Sequence, residues 1–210
     1  LPDYDTVIFD EAHTVEAVAA DHMGIRLSEG QIEYLMNRLY NDRSQKGILI
    51  AHKLEKSQQQ VQAVRTLARE FFFAVDNWTS SFGRKNGRLD KPVDVVNNVT
   101  PALYDLSSQI QRYADGLKSE SDKVELASAA TRCQMLADNL TSWCEQRVEG
   151  DVYWVEHTGA KRDRLSLMSA PIEVGPILRD QLFNKVSSVI LTSATLAIGE
   201  KNFRFFRSRV

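Results

Sequence analysis

Six polar side chains, three near each end of the chain, have the types and spacing for phosphate chemistry. Asp10 and Glu11 follow the apolar run Val7-Ile8-Phe9, and His13 stands two residues further on. Thr192, Ser193 and Thr195 follow a second apolar run, Val189-Ile190-Leu191. Neighbouring residues on an extended chain point different ways, so two adjacent acids can take different roles. Asp10 suits a Mg2+ ion held through its water shell, and Glu11 suits the orientation and deprotonation of an attacking water. His13 is placed to hydrogen-bond across to the hydroxyl-bearing turn. Ser193 and Thr195 offer small hydroxyls that can change partners as a bound nucleotide changes state.

Each string has a plainer explanation when taken alone. Acids at the start of a helix are favoured by its dipole, which would account for Asp10 and Glu11 without catalysis. Serine and threonine commonly end strands. The tandem is more specific, because each string closes a Val/Ile-rich run. A zinc protease site is excluded, since the sequence holds no His-Glu-x-x-His.

Both apolar runs read as short buried strands with polar chemistry at their C-terminal ends, where ligands sit in parallel α/β sheets. For the six side chains to meet, the two runs must pair in parallel within one sheet. They lie roughly 180 residues apart, which implies a whole domain inserted between two strands.

The bulk composition allows this. The 210 residues, 43% hydrophobic and 26% charged, are ordinary for one large or two small globular domains. The net charge of −2 gives no global field for nucleic acid, so any such binding must come from local patches. No apolar run reaches the ~20 residues of a membrane span. The opening Leu1-Pro2-Asp3 has neither a Met nor a signal-peptide pattern, which suggests an excised piece. Cys133 and Cys144 lie eleven apart, too far along one helix to pair, and read as reduced core thiols.

The middle of the chain is helical in pattern. A helix over Val15 to Met23 ends at Gly24. Ser28 with Gln31 forms a capping box ahead of the stripe Ile32, Leu35, Met36 and Leu39. Three longer stripes follow. They run from Leu54 through Val61, Val64, Ala68, Phe71 and Val75 to Trp78, from Leu103 to Leu117 behind a Thr100 cap, and from Leu126 through Cys133 and Leu140 to Trp143. Sustained three–four spacing predicts antiparallel helices packed as a bundle with its own core.

Two stretches are locally basic. Residues 80–99 read as a loop carrying Arg84, Lys85 and Arg88. After Gly150 the period changes to two, and a β-hairpin is predicted, flanked by Lys161, Arg162 and Arg164. These six cations are candidate contacts for single-stranded DNA, with Tyr153 or Trp154 as a base-stacking platform. The plainer reading is a solvated connection. Because Tyr153 and Trp154 alternate faces, at least one belongs to the core. A short helix over residues 176–183 and a last strand over 187–192 close the pattern.

The string Val7 to His13, the position of the insert, the stretch Ser169-Ala170-Pro171-Ile172-Glu173-Val174-Gly175-Pro176-Ile177-Leu178-Arg179 and the string Val189 to Leu196 resemble the DinG/XPD-like family of superfamily 2 DNA helicases. Gly175 departs from the serine cap expected in that pattern. The resemblance implies an α/β fragment of a RecA-like motor domain carrying a large all-α inserted arch domain. Residues 1–24 and 151–210 would belong to the motor and residues 25–150 to the arch. It implies ATP and Mg2+ as cofactors, single-stranded DNA and the remainder of the helicase chain as partners, 5′ to 3′ translocation through a hole the arch helps to enclose, no membrane, and a cytoplasmic, nucleoid-associated location if bacterial. By motif match Asp10 would assist Mg2+, Glu11 would be the general base, and His13 with Thr192, Ser193 and Thr195 would couple hydrolysis to movement.

The departures bear on activity. No Gly-x-x-x-x-Gly-Lys-Ser/Thr loop occurs in the chain, so the phosphate cradle is missing, as is the second motor domain. A segment unable to hydrolyse ATP alone is expected. The family's iron–sulfur cysteines, where it carries them, lie upstream of the acidic motif, and two cysteines cannot hold such a cluster. Two other readings compete. A DEAH-type RNA helicase would set the two motifs only about one strand–helix unit apart, which the insert disfavours. A non-catalytic helical interaction module would differ in binding no DNA.

Overall fold

A computed structural model describes residues 4–159, 164–196 and 202–210, the side chain of Ser208 excepted. The chain divides into two compact units. The first comprises Leu1–Ile25, Gly150–Val152 and Ser169–Val210; the second comprises Arg26–Glu149 and Tyr153–Met168.

In the first unit, β1 (Thr6–Phe9) and β6 (Ser188–Leu191) pair in parallel, with Phe9 opposite Leu191. Bonds from Ser188 N–H to the Asp5 carbonyl (3.0 Å) and from Thr192 N–H to the Phe9 carbonyl (2.9 Å) extend the ladder at both ends. Six of the eight strand residues are β-branched or aromatic, as a pleated surface favours. Phe9 and Leu191 pack against a small core of Ala12, Val15, Ala19, Val174, Leu178 and Val210. This core is built from α1 (Val15–Met23), α7 (Gly175–Leu178) and residues flanking them, with Val210 following α8 (Arg204–Arg209). The predicted helix over residues 176–183 is one turn of α-helix continued by a wider turn over Arg179–Phe183. On the other face, Ile8 (66% exposed) and Ile190 (45%) stand side by side without cover among the described residues.

Gly24 ends α1 at φ −84°, so its flexibility is not what the site requires. Space is what it requires: a Cβ there would stand 1.9 Å from the Ser169 carbonyl oxygen. At this crossing Ser169 Oγ accepts from Ile25 N–H (3.1 Å) and donates to Asp151 Oδ2 (3.1 Å). Burial pushes the Asp151 carboxyl above its usual range, and the Ser169 hydroxyl partly opposes that rise.

The second unit is helical with a small sheet. α2 (Glu29–Leu39) opens on the expected capping box, Ser28 Oγ accepting from Gln31 N–H and Gln31 Oε1 accepting from Ser28 N–H. After a single turn, α3 (Ile48–Ala51), the three long stripes become α4 (Glu55–Phe82), α5 (Val99–Asp115) and α6 (Glu120–Glu145). Most residues of these stripes are buried, Val61, Val64, Leu106, Ile110, Cys133 and Leu140 completely. Burial pushes the Cys133 and Cys144 thiols up to about 12, so neither is a thiolate near neutral pH. Arg65, 5% exposed, ties α4 to the end of α2 by donating to Asn37 Oδ1 and to the Tyr40 carbonyl, each at 2.8 Å.

Four strands form the sheet in the order β2 (Arg26–Ser28), β5 (Arg164–Pro171), β4 (Asp151–Thr158), β3 (Arg88–Leu89). The predicted hairpin is thus its centre, and residues 153–168 group with the helices. Trp143 fastens α6 to the sheet, donating from Nε1 to the buried Met168 carbonyl at 3.0 Å. Two expectations change in detail. Residues 80–99 are not all loop, because Arg88–Leu89 pair with β4. α5 starts at Val99, before Thr100, and it is Asn97 whose side-chain oxygen accepts from Thr100 N–H at 3.1 Å. Among the described residues no helix is long and apolar enough to cross a membrane.

Candidate functional site

The two polar strings meet where β1 and β6 end. Parallel pairing in register brings both strand ends to one edge. Ala12 N–H then donates to the Thr192 carbonyl at 2.9 Å, locking the two turns together, and Ala12 itself is fully buried. A larger side chain would have no room between the sheet and α1. A short 3-10 turn, Ala12–Thr14, follows, held by Thr14, whose N–H and hydroxyl both donate to the Glu11 carbonyl at 2.9 Å.

Within this frame the two acids have different partners. Asp10 Oδ1 accepts from its neighbour's Glu11 N–H and from Thr192 Oγ1, both at 2.9 Å. Oδ2 makes no hydrogen bond or ion pair among the described residues, so a fixed carboxylate presents one open oxygen. That suits a hard cation whose other ligands are waters and phosphate oxygens. Among the described residues no three metal-binding side chains gather into a cage.

Glu11 lies in the left-handed region, at φ 50° and ψ 43°. Its side chain reaches Ser193 and His13, where that of Asp10 reaches Thr192. Glu11 Oε2 accepts from Ser193 Oγ at 3.3 Å and lies 3.2 Å from His13 Nδ1. His13 Nδ1 and Ser193 Oγ are 2.9 Å apart. Ser193 has one hydroxyl proton, and a carboxylate can only accept. With that proton given to Glu11, His13 must be the donor to Ser193, which fixes an Nδ1–H tautomer and a directed chain from His13 through Ser193 to Glu11. Thr195 joins through its backbone, its N–H lying 3.4 Å from Ser193 Oγ, while its side chain makes no bond to His13 among the described residues. Ser193 is half-buried and the other groups are exposed.

The DNA-contact candidates lie in the second unit. Register places Arg88 opposite Trp154 and Leu89 opposite Tyr153. Arg88 and Trp154 therefore share one face of the sheet, and Leu89 and Tyr153 share the buried one. Tyr153 is 3% exposed and its hydroxyl accepts from Val148 N–H at 3.0 Å, so it is a core residue and cannot stack a base. Trp154 is half-buried and available on its outer face. Arg84 pairs with Asp90 at 2.6 Å, and Arg88 lies 4.0 Å from the same acid, which offsets part of the loop's charge. Lys85 is exposed. Arg164 opens into a cleft shared with Glu29 and Glu33. Lys161 and Arg162 lie outside the described residues.

Sequence reasoning did not find the Thr192–Asp10 bond or the left-handed Glu11. Thr192 was recognisable as a strand-end hydroxyl, but its partner depends on register. Nothing in an Asp-Glu dipeptide signals positive φ, which usually marks Gly or Asn.

No family model matches the chain. It is similar over its whole length to the 3′-5′ exonuclease DinG of Bacillus subtilis (strain 168), at 25% identity over 255 aligned positions that cover 26% of that protein. It is also similar to the probable ATP-dependent helicase YpvA of the same organism, at 26% identity over 95% of this chain and 29% of the relative. With the ATP-dependent DNA helicase YoaA of Escherichia coli (strain K12) it shares 26% identity over all of this chain and 31% of the relative. The chain thus spans between a quarter and a third of the length of the curated relatives it matches.

Proposed function

We propose that this DinG-like helicase segment is the part of an ATP-driven DNA motor that senses nucleotide hydrolysis and passes the signal to the strand-moving surface. In this reading the first unit is two stretches of a RecA-like motor domain and the second is an arch domain that helps enclose single-stranded DNA during 5′ to 3′ translocation. The observation that carries it is the joining of Asp10 to Thr192, and of Glu11 and His13 to Ser193, across strands roughly 180 residues apart in sequence. The uncovered Ile8 and Ile190 support a further layer packed on that face of the sheet, as the longer relatives would allow.

ATP with Mg2+ supplies, when bound, the anhydride to be cleaved and the charge that neutralises it. Asp10, oriented by Glu11 N–H and Thr192, offers Oδ2 to the ion's water shell. Glu11, held at Oε2, keeps Oε1 to orient a water and take its proton. Ser193 reports the state of Glu11 because its single proton is held by the carboxylate while His13 Nδ1–H donates to its oxygen. Loss of negative charge at Glu11 weakens that hydrogen bond and frees the Ser193 proton for another partner, which moves β6 relative to β1. Arg88 and Trp154 then serve as a phosphate contact and a stacking face.

ATP turnover tests this. In a full-length protein bearing this segment, Glu11→Gln lowers DNA-stimulated kcat by about 10²–10⁴-fold. The 210-residue chain, which has no phosphate-binding loop in its sequence, shows the same background with Glu11 or Gln. Full turnover by the Glu11→Gln protein would overturn the reading.

A further inference from the structure

The second unit carries a groove between α2 and α6, with a volume of 450 Å3, whose charge is one-sided. Arg26 and Arg132 line it together with Tyr34, Met135 and Asn139, and no acid does. The asymmetry has a structural cause. The acids of α2 project to its other face, where Glu33 lies 3.3 Å from Arg65 and Glu29 3.9 Å from Arg69, both arginines of α4. The side of α2 turned to α6 is left with Arg38 and faces Arg26 and Arg132. Among the described residues neither Arg26 nor Arg132 makes an ion pair, unlike Arg65, Arg69, Arg84 and Arg88. Arg38, one turn past Tyr34, continues the line beside Arg132, where Glu125 is the acid at its far end.

The groove floor is apolar and its rim offers a flat aromatic surface. Tyr34 is 66% exposed and Met135 57%, an unusual outlay for residues with no cover. The Asn139 amide supplies both a donor and an acceptor. The N-terminus of α2, an eleven-residue helix, adds a partial positive charge at the Arg26 end. Unpaired guanidiniums flanking an exposed ring and a polar amide match phosphate, base face and base edge in turn.

We infer that this groove is a binding site for single-stranded nucleic acid, with a base stacked on Tyr34 and the flanking phosphates on Arg26 and Arg132. The choice of a nucleic-acid strand over an acidic peptide rests on the motor reading above. The site is separate from Arg88 and Trp154, where Arg84 and Arg88 share Asp90.

The test is fluorescence anisotropy of a labelled fifteen-residue oligothymidylate with the 210-residue chain, across a salt series. Arg26→Ala/Arg132→Ala is expected to weaken binding at least tenfold and to make the log–log salt slope shallower by about 1.4, or ~0.7 for each phosphate no longer neutralised. Tyr34→Ala is expected to weaken it by about fivefold or more, and Tyr34→Phe to restore it. Inorganic polyphosphate, which has no bases, should bind with no dependence on Tyr34. These side chains are exposed, so thermal midpoints should not move; Asn139→Glu, which adds a charge without removing packing, gives a second variant with the same expected loss. Oligonucleotide binding that none of these variants alters would overturn the groove and leave the motor reading intact. Failure of the wild-type chain to bind the oligonucleotide, or capture of a glutamate-rich peptide in its place, would also overturn it. The motor reading fails on a different readout, the Glu11-dependence of ATP turnover.

Discussion

Glu11 holds a left-handed backbone at a position where an L-residue with a Cβ loses roughly 1–2 kcal/mol. The chain tolerates this because Thr14 anchors the Glu11 carbonyl twice and Ala12 is fixed to Thr192. The strain serves geometry, since a right-handed Glu11 would not direct its carboxylate to Ser193. Glu11→Gly is accordingly expected to raise folding stability by roughly 0.5–1 kcal/mol in denaturant titration, the relief of backbone strain outweighing the loss of exposed polar contacts. At this scale the sequence was informative about identity and less so about pairing. Asp10, Glu11, His13, Thr192 and Ser193 were legible because two polar strings each closed an apolar run. Tyr153 was misplaced because alternation shows that one of two neighbours is buried without showing which. The loop cations were named without Asp90, the acid that offsets Arg84 and Arg88.

Elements explain why these residues meet. Parallel β1 and β6 have to be joined by a long connection, and the helices between them supply it. The long helices were readable from their stripes, since twenty or more residues of three–four spacing leave little ambiguity. β2, three residues long, and β3, two residues long, show no period, so the four-stranded sheet was invisible beyond its central hairpin. The return of the chain to the first unit depends on one close approach, Gly24 against Ser169. Gly24→Ala would place a Cβ 1.9 Å from a backbone oxygen that cannot move without breaking the Ser169–Ile25 bonds. The substitution is expected to cost more than about 2 kcal/mol of stability, measured by chemical denaturation. A cost below about 0.5 kcal/mol would mean that α1 and β5 are not held this closely.

On the scale of the whole molecule, the two units hold different candidate residues. The hydrolytic candidates lie in the first and the nucleic-acid candidates in the second. The resemblance gave the idea of an interrupted motor domain, but composition could not say where a hairpin belongs, and residues 153–168 group with the helices because Trp143 and the apolar face of β4 and β5 pack there. The central claim is that His13 and Ser193 act as one device. Residues in direct contact couple, whereas independent sites add. The measurement is a double-mutant cycle on DNA unwinding by a full-length protein bearing this segment, with His13→Ala, Ser193→Ala and both together. The account predicts that the double variant unwinds within about threefold of the weaker single variant. Losses that multiply, each substitution acting as if the other were absent, would contradict it.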